Sequence, residues 1–474
     1  MEADCIHIAI VGAGASGTIT AIQLLRELNV KAKIFLIEKK PDAVYRGAAY
    51  SSKLPYEPLN VIAGRMNMFN HLPDDFYNWL KENKQAEQEE EITNETYVSR
   101  RWFGDYMTAR IKEAAAGSAF VELEVVNNEL RDINYDAAKE KYRLLLLNTE
   151  VINADYIIFA TGNETPADVL SREEVMALGK NYISNPWLSN TLEKIKPTDD
   201  VLIIGTGLTM VDHVVSLQKQ CHQGKIYCLS RNGYLPLEHT SIQTFTVNIT
   251  EEPKDVYELL RLIKTKIAEA GNQNVEWQNV LDAIRPHTTR LWKSLNTDSK
   301  KYFLKRLKTY WEIHRHRMPT ASANAIKQMQ AGGQLVLLAG NIVGTELKRD
   351  KVALKYYAKK VSKTESLSVD FVINCTGPSS DYYKCDNVLI KNLLDKGWMN
   401  QDELKLGIRT GARGEIIKEN GVVLQNAFAV GPLRKALEWE STAMREIRTQ
   451  AENVALHIAG KTERSSEMMV ENGL

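Results

Sequence analysis

Two short apolar runs, Ile8–Val11 and Val201–Ile204, are each followed by glycines and then by a helical pattern of apolar residues. A continuous apolar run of this length suits a strand that is buried on both faces of a parallel sheet. The segments after the glycines, TITAIQLLREL and LTMVDHVVSLQKQ, repeat their apolar residues at helical intervals. Each unit therefore predicts a strand, a tight turn and a helix.

The first unit has the glycine spacing of a loop that holds a diphosphate. In the GxGxxG pattern the first glycine permits the turn, the second lets the backbone approach a pyrophosphate, and the third allows close helix packing. The next predicted strand, KAKIFLIEKK, places Glu38 21 residues after Gly17, where an acid binds a ribose hydroxyl. A strand-to-helix turn without a ligand is the alternative. We expect this unit to hold FAD, with cofactor contacts at Gly12, Gly14, Ser16, Gly17, Glu38 and Lys39.

The second unit repeats the first two glycines as Gly205 and Gly207 but has Met210 in place of the third. Its helix would therefore pack less closely. The following strand, KIYCLSRN, ends in Arg231, 24 residues after Gly207, and an arginine there suits the 2′-phosphate of NADPH. The alternative is that Arg231 is a solvated surface residue. The predicted contacts of this unit are Gly205, Gly207, Leu208, Thr209 and Arg231.

Two further stretches, DYIIFATGN and DFVINCTGP, read as strands that end in Thr161-Gly162 and Thr376-Gly377. Small residues at the end of a strand let the chain turn away close to a bound cofactor. Each stretch follows its own glycine loop, so an organised repeat is favoured over two chance turns. Thr161, Gly162 and Gly377 are added to the predicted cofactor contacts.

Composition excludes several classes of protein. The 474 residues carry 60 basic and 60 acidic side chains, so the net charge of +0 gives no reason to expect nucleic acid as a partner. No apolar run approaches the roughly 20 residues that span a bilayer. Five cysteines without CxxC spacing, and a start without a basic segment or cleavage site, predict a reducing cytoplasm.

Helical, charged segments interrupt the strand–helix rhythm at about residues 235–334, which we expect to be an insertion that sets substrate specificity. Within it, EIHRHRMP places His314 and His316 two residues apart, a spacing that does not suit a metal site on a helix. Arg315 and Arg317 could bind an anionic group of NADPH or of a substrate, or could form a solvated basic face.

On these motifs the chain resembles the flavoproteins with two dinucleotide-binding domains, a group that includes flavin-containing monooxygenases, amino-acid N-hydroxylases and disulfide reductases. It is most similar to an FAD/NAD(P)-binding family whose patterns are matched by GAGASGT, LNVIAGRM, GTGLTMVD, SRNGYLP, HRHRMP and GPLRKALEWESTA. The resemblance covers nearly the whole chain. It implies an α/β fold of two Rossmann-like domains: a discontinuous FAD-binding domain in residues 1–190 and 379–474, and an NAD(P)-binding domain in residues 191–378 that carries the helical insertion.

The resemblance also implies cofactor contacts outside the two glycine loops. In the broader group a C-terminal strand ends in Gly-Asp and the next helix points its N-terminus at the flavin; here Gly431 is followed by Pro432. The segment PLNVIAGRMNMF runs beside FAD in the family and offers Asn60 and Arg65, while Met66, Met68 and Phe69 are packing residues. Asn60 either hydrogen-bonds the flavin or caps a turn.

The implied function is an FAD-dependent NAD(P)H oxidoreductase, in particular a monooxygenase that hydroxylates a small soluble substrate. The disulfide-reductase branch is disfavoured, because its chemistry needs a cysteine pair beside the flavin and the nearest spacing here is Cys221 to Cys228. The alternative is a redox sensor or partner-binding protein that holds the cofactors without turnover.

Overall fold

Two parallel sheets, one around each glycine loop, form the framework of the protein. The computed structural model describes residues 5–471 except 53, 55, 56, 88, 89 and 189, with side chains up to residue 462. The chain divides into a first unit of residues 1–55, 61–164 and 380–474 and a second unit of residues 56–60 and 165–379.

The first unit begins with the first glycine-loop strand and helix. Its elements before the chain leaves for the second unit are β1 (Ile6–Val11), α1 (Ala15–Glu27), β2 (Ala32–Glu38), α2 (Gly47–Tyr50), α3 (Asp75–Asn83), α4 (Arg100–Gly117), β3 (Val121–Asn127), β4 (Leu130–Asp136), β5 (Lys141–Leu146), β6 (Val151–Ala154) and β7 (Tyr156–Phe159).

The second unit holds the second glycine loop and the inserted helices. Its elements are α5 (Arg172–Leu178), β8 (Tyr182–Ile183), β9 (Val201–Ile204), α6 (Leu208–Lys219), β10 (Ile226–Ser230), α7 (Val256–Gly271), α8 (Trp277–Ile284), α9 (Thr288–Ser294), α10 (Thr297–Tyr302), α11 (Lys308–Arg315), α12 (Thr320–Ala331), β11 (Leu335–Lys348), β12 (Lys351–Ala358), β13 (Lys363–Val369) and β14 (Phe371–Asn374).

The chain then returns to the first unit. The returning elements are α13 (Val388–Asp395), β15 (Glu415–Ile417), β16 (Val423–Ala429) and α14 (Met444–Glu471).

The main sheet of the first unit has the strand order β15-β16-β7-β1-β2-β3, with only the β15–β16 pair antiparallel. The C-terminal part of the chain adds β16 directly beside β7, with Ala427 opposite Ile157. A separate antiparallel sheet, β4-β5-β6, packs with α13 into the same apolar core. Residues from both ends of the chain are thus needed to close this unit.

The sheet of the second unit has the order β13-β12-β11-β10-β9-β14-β8. Its centre, β14-β9-β10, is parallel and matches β7-β1-β2 of the first unit strand for strand. All four residues of β9 are buried, as expected for a strand covered on both faces. The α/β fold predicted from the two apolar runs is confirmed.

The first boundary between the units differs from the predicted one. The sequence places it at 190/191, whereas the structure places it at 164/165. The reason is β8, whose Tyr182 pairs with Val372 in β14, so the chain from residue 165 onward already belongs to the second unit. The return to the first unit occurs at 379/380, one residue after the predicted position.

The predicted insertion lies between β10 and β11 and contains α7 to α12. It has an apolar core of its own, formed by the buried side chains of Val247, Ile249, Ala270, Val280, Ile284 and Leu291. Among the described residues, no helix combines the length and apolar character that crossing a membrane requires.

Candidate functional site

The first glycine loop passes so close to its neighbours that side chains are excluded from two positions. Gly12 has a φ of +102°, and a Cβ added to it would lie 2.5 Å from the Ala160 carbonyl oxygen. A Cβ on Gly17 would lie 1.9 Å from the Gly12 carbonyl oxygen. Gly14 is the N-cap of α1, and no side chain in the described part of the chain caps that helix end. The first backbone N–H groups of α1 are therefore free to meet an anion.

A glycine that the sequence did not single out lies against this loop. Gly47 has a φ of +61°, and a Cβ on it would come within 2.9 Å of the Gly14 Cα. Its place in the sequence, 33 residues after Gly14, gives no local signal of this contact.

The predicted ribose-binding acid lies at the end of β2 and reaches the loop. One carboxylate oxygen of Glu38 accepts the Ala13 backbone N–H at 3.0 Å, and the other accepts the Lys40 N–H at the same distance. The adjacent Lys39 pairs with Glu129, with 3.2 Å between Nζ and Oε1. Glu38 is thus held beside the glycine loop, while the charge of Lys39 is balanced.

The two Thr-Gly turns lie beside the two loops, as the repeat predicts. Backbone N–H groups of Ala160 and Cys375 donate to the last residues of β1 and β9, Val11 and Ile204, at 2.9 and 2.8 Å. Gly162 and Gly377 have φ values of +74° and +88°, and no atom lies within 4 Å of a Cβ added to either. Both turns therefore border open space.

The threonines of the two turns differ. Thr376 Oγ1 donates to Asn374 Oδ1 at 2.7 Å, so this hydroxyl is satisfied within its own turn. Thr161 Oγ1 is buried and has no hydrogen-bond partner among the described residues. A buried polar atom without a partner is costly, so this hydroxyl is positioned to bond a ligand.

The second loop repeats the backbone of the first. Gly205 has a φ of +107°, and a Cβ on it would lie 2.3 Å from the Cys375 carbonyl oxygen. Gly207 is the N-cap of α6 without a described side-chain cap, and Leu208 and Thr209 form the first turn of that helix. Met210, in the position of Gly17, is completely buried.

The register of the two sheets corrects one comparison made from the sequence. Gly12 N–H donates to Ile37 O and Gly205 N–H donates to Leu229 O, each at 2.8 Å, so the residue that follows in each strand is equivalent. Ser230 therefore occupies the position of Glu38, and Arg231 corresponds to Lys39. The offset arises because the two strands lie at different distances from their loops along the chain, which residue counting alone does not show.

Ser230 is tied to its surroundings and Arg231 is not. Ser230 Oγ accepts the Gly233 N–H at 3.0 Å and lies 2.9 Å from Thr206 Oγ1, which also donates to the Tyr234 carbonyl at 2.6 Å. Arg231 is exposed and makes no ion pair or side-chain hydrogen bond within the described residues. The second unit thus has a small neutral side chain and an unbalanced cation where the first unit has an acid.

Gly431 follows β16 with a φ of +83° and packs on the first turn of α1, since a Cβ on it would lie 2.5 Å from Ser16 Oγ. Its N–H donates to Gln450 Oε1 at 2.7 Å, and Gln450 Nε2 donates to Glu438 at 2.6 Å. After Gly431, Pro432 opens a single 3₁₀ turn, and the next α-helix, α14, begins only at residue 444. The contact with Gln450 spans 19 residues and has no signal in the sequence.

Asn60 and Arg65 belong to different units. The Asn60 carbonyl lies 3.3 Å from the ring nitrogen Nε2 of His239, whose pKa is lowered to about 4, first by burial and then by the charge of Arg317. Arg65 is exposed and ends a short 3₁₀ turn in the first unit. Met68 and Phe69 are completely buried, in keeping with a packing role.

One of the two insertion arginines is not part of a solvated face. Arg317 is 3% exposed, and its Nη2 lies 2.7 Å from Asp282 Oδ1. It forms a partly buried ion pair inside the second unit, and the sequence could not reveal this because Asp282 lies 35 residues away.

A family model described as FAD-NAD(P)-binding matches residues 9–164, which contain the first glycine loop, Glu38 and the first Thr-Gly turn. The fold is that of the flavoproteins with two dinucleotide-binding domains. The match supports the prediction that this flavoprotein fold holds FAD and a nicotinamide nucleotide.

Solved structures of this flavoprotein fold span nearly the whole chain at low sequence identity. An ornithine N-hydroxylase of Kutzneria sp. 744 is 12% identical, covers 98% of this chain and 100% of its own, and has a TM-score of 0.63. An L-lysine 6-monooxygenase of Pseudomonas syringae is 14% identical, with coverage of 97% and 99% and a TM-score of 0.63. The thioredoxin reductase of T. acidophilum is 12% identical, with coverage of 96% and 98% and a TM-score of 0.54. No curated protein matches the chain by sequence.

Proposed function

We propose that the chain is an FAD- and NADPH-dependent oxidoreductase that works as a monooxygenase on a small soluble substrate. The observation that carries this proposal is the difference in side-chain charge at two structurally equivalent positions, the ends of β2 and β10. The first unit presents the carboxylate of Glu38 beside its glycine loop, whereas the second presents neutral Ser230 and the cation Arg231. An acid binds a free ribose hydroxyl and repels a 2′-phosphate, while an arginine binds that phosphate. Two different dinucleotides are expected from this contrast.

The residues of the first unit fit FAD. The uncapped N-terminus of α1 would receive the diphosphate, and Glu38 would accept a ribose hydroxyl. The buried hydroxyl of Thr161 and the open space at Gly162 lie beside the same loop. In the second unit the N-terminus of α6 would receive the diphosphate of NADPH and Arg231 its 2′-phosphate.

The cofactors would supply the redox chemistry: electrons from NADPH reduce FAD, and the reduced flavin activates oxygen for transfer to the substrate. The chain itself contributes binding, orientation and exclusion of water. Disulfide chemistry is not supported, because the five cysteines form no disulfide within the described residues and Cys228, Cys375 and Cys385 are buried. Burial raises the pKa of the Cys228 thiol, which disfavours the reactive thiolate.

Several proteins with this fold are hydroxylases or monooxygenases of amines or amino acids. Ornithine, lysine and cadaverine are therefore the first substrates to test. The decisive measurement is NADPH consumption by the purified yellow protein in air, with and without each compound. Sustained oxidation, with a hydroxylated product replacing hydrogen peroxide when the right compound is added, is the expected result. A single bleaching of the flavin without turnover would contradict it and would favour a redox sensor. The cytoplasmic location inferred from the sequence stays a prediction.

A further inference from the structure

A lysine from a distant part of the second unit lies beside the end of β10. Lys359 directly follows β12, and its backbone N–H donates to the Ala339 carbonyl at 2.9 Å. Ala339 is in turn paired with Ser230 in the register of β10 and β11. Lys359 is therefore at the same level of the sheet as Ser230, one strand beyond β11.

The side chain of Lys359 points back across that strand toward β10. Its Nζ donates to Asn232 Oδ1 at 3.2 Å, and Asn232 is the residue next to Arg231. The ammonium group is thus fixed beside the segment that follows β10.

Neither cation at this edge is neutralised. Over the described ranges of the chain, Arg231 and Lys359 form no ion pair with a carboxylate. The equivalent residue of the first unit, Lys39, is paired with Glu129 at 3.2 Å. Two unbalanced positive charges beside a small neutral serine form a site for a doubly charged anion.

We propose that Lys359 is a specificity-determining residue that binds the 2′-phosphate of NADPH together with Arg231, with Asn232 holding the lysine in place. The inference rests on the proposed function, because it names a second contact for the nucleotide assigned to the second unit. A lysine acts on a phosphate as a point charge, whereas an arginine supplies a directed fork of donors, so the two side chains would contribute separately.

The test compares the affinities of the purified holoprotein for NADP⁺ and NAD⁺ by titration calorimetry. In Lys359→Gln the amide can still donate to Asn232, but the charge is lost. We expect the Kd for NADP⁺ to rise about tenfold, as for the loss of one charge-assisted contact, and the Kd for NAD⁺ to stay unchanged. The matched control is Lys360→Gln, which removes the neighbouring exposed lysine and should leave both affinities unchanged.

The outcomes separate this inference from the proposed function. If Arg231→Ala weakens NADP⁺ binding and Lys359→Gln does not, the role of Lys359 is wrong while NADPH use stands. If Lys359→Gln weakens NADP⁺ and NAD⁺ equally, or if Lys360→Gln matches its effect, the lysine does not recognise the phosphate. If the wild-type protein binds neither nucleotide, the proposed function fails as well.

Discussion

The two glycine loops share a backbone design and differ in the side chains around it. Gly12 and Gly205 have φ values of +102° and +107°, and each donates its N–H to the neighbouring strand at 2.8 Å. Each lies so close to the carbonyl before its Thr-Gly turn that a Cβ would overlap it. This part of the design serves what the two nucleotides have in common, a diphosphate that meets backbone N–H groups at a helix N-terminus.

The differences lie where the two nucleotides differ. Glu38, which accepts two backbone N–H groups, is replaced in the second unit by Ser230. Lys39, which is paired with Glu129, is replaced by Arg231, which has no ion pair within the described residues. Thr161 keeps a buried hydroxyl without a described partner, whereas Thr376 is satisfied by Asn374. Backbone geometry therefore defines a dinucleotide site, and a few side chains determine which dinucleotide it takes.

The largest effect is expected from adding a methyl group to the first glycine of either loop. Gly12→Ala and Gly205→Ala each combine a strained backbone, at about 1–3 kcal/mol, with overpacking of about 1–3 kcal/mol. Gly12→Ala should lose bound flavin, and Gly205→Ala should keep the flavin but lose NADP⁺ binding. Flavin absorbance per chain and NADP⁺ titration measure the two losses.

The control for this pair is Gly271→Ala. Gly271 is the last residue of α7, outside both glycine loops, and no atom lies within 4 Å of an added Cβ, so flavin content and NADP⁺ binding should both stay unchanged. If Gly12→Ala lost NADP⁺ binding and kept its flavin, the assignment of the two loops would be reversed.

The third position of the loop pattern, Gly17 in the first unit and Met210 in the second, differs in how it contributes to packing. No side chain fits at Gly17, whereas Met210 at the equivalent position is completely buried against the apolar core of the second unit. Met210→Ala should leave a cavity and lower the free energy of unfolding by about 2–5 kcal/mol. Urea denaturation measures the change, and Met176→Ala, at a side chain that is 73% exposed, is the matched control. A loss no larger than that of the control would mean that α6 does not depend on this methionine for its packing.

The backbone design was predictable from the sequence and the side-chain differences were only partly so. Apolar runs that end in glycine predict strands β1 and β9, and Glu38 and the Thr-Gly turns follow these runs in the sequence. The equivalence of Ser230 and Glu38 depends on strand register, which counting from the loop misplaced by one residue. The contact of Lys359 with Asn232 spans 127 residues and carries no local pattern. The boundary at 164/165 was missed for a similar reason, because β8 is only two residues long and is recognisable only by its pairing with β14.

Placing the acid of the first unit at the equivalent position of the second tests the preference for NADP⁺ over NAD⁺ directly. Ser230→Glu places an acid where the first unit has Glu38, so it should repel a 2′-phosphate and accept a free ribose hydroxyl. We expect the Kd ratio of NADP⁺ to NAD⁺ to rise about tenfold or more, because one unfavourable charge contact costs at least as much as one favourable contact gains. Ser230→Gln, of similar size and without charge, is the control. An equal effect of both variants would show that bulk rather than charge excludes the phosphate.

The smallest effect concerns pH, where the two units are expected to respond with opposite signs. In the second unit the pKa of His239 is lowered from 6.5 to about 4, mainly by burial, so between these values the unfolded chain binds a proton that the folded chain does not. Stability then rises with pH across this window and is lost as the pH falls through it. His239→Gln keeps a donor for the Asn60 carbonyl and should reduce that loss by about 1 kcal/mol, the effect being diminished by partial exposure of the ring. Urea denaturation at several pH values between 4 and 7 measures it.

In the first unit Glu164 supplies the opposite case. Burial raises the pKa of its carboxyl above 4.5, although Asn387 Nδ2 donates to Oε1 at 2.7 Å and Lys39 favours the charged form. The folded chain then holds a proton that the unfolded chain has released, so stability falls as the pH rises above 4.5. Glu164→Gln preserves the bond from Asn387 and removes this penalty, so it should be more stable than the wild type at neutral pH and His239→Gln should not. If both variants changed the slope of stability against pH in the same direction, the protonation states assigned to His239 and Glu164 would be wrong, because a lowered pKa and a raised pKa contribute slopes of opposite sign.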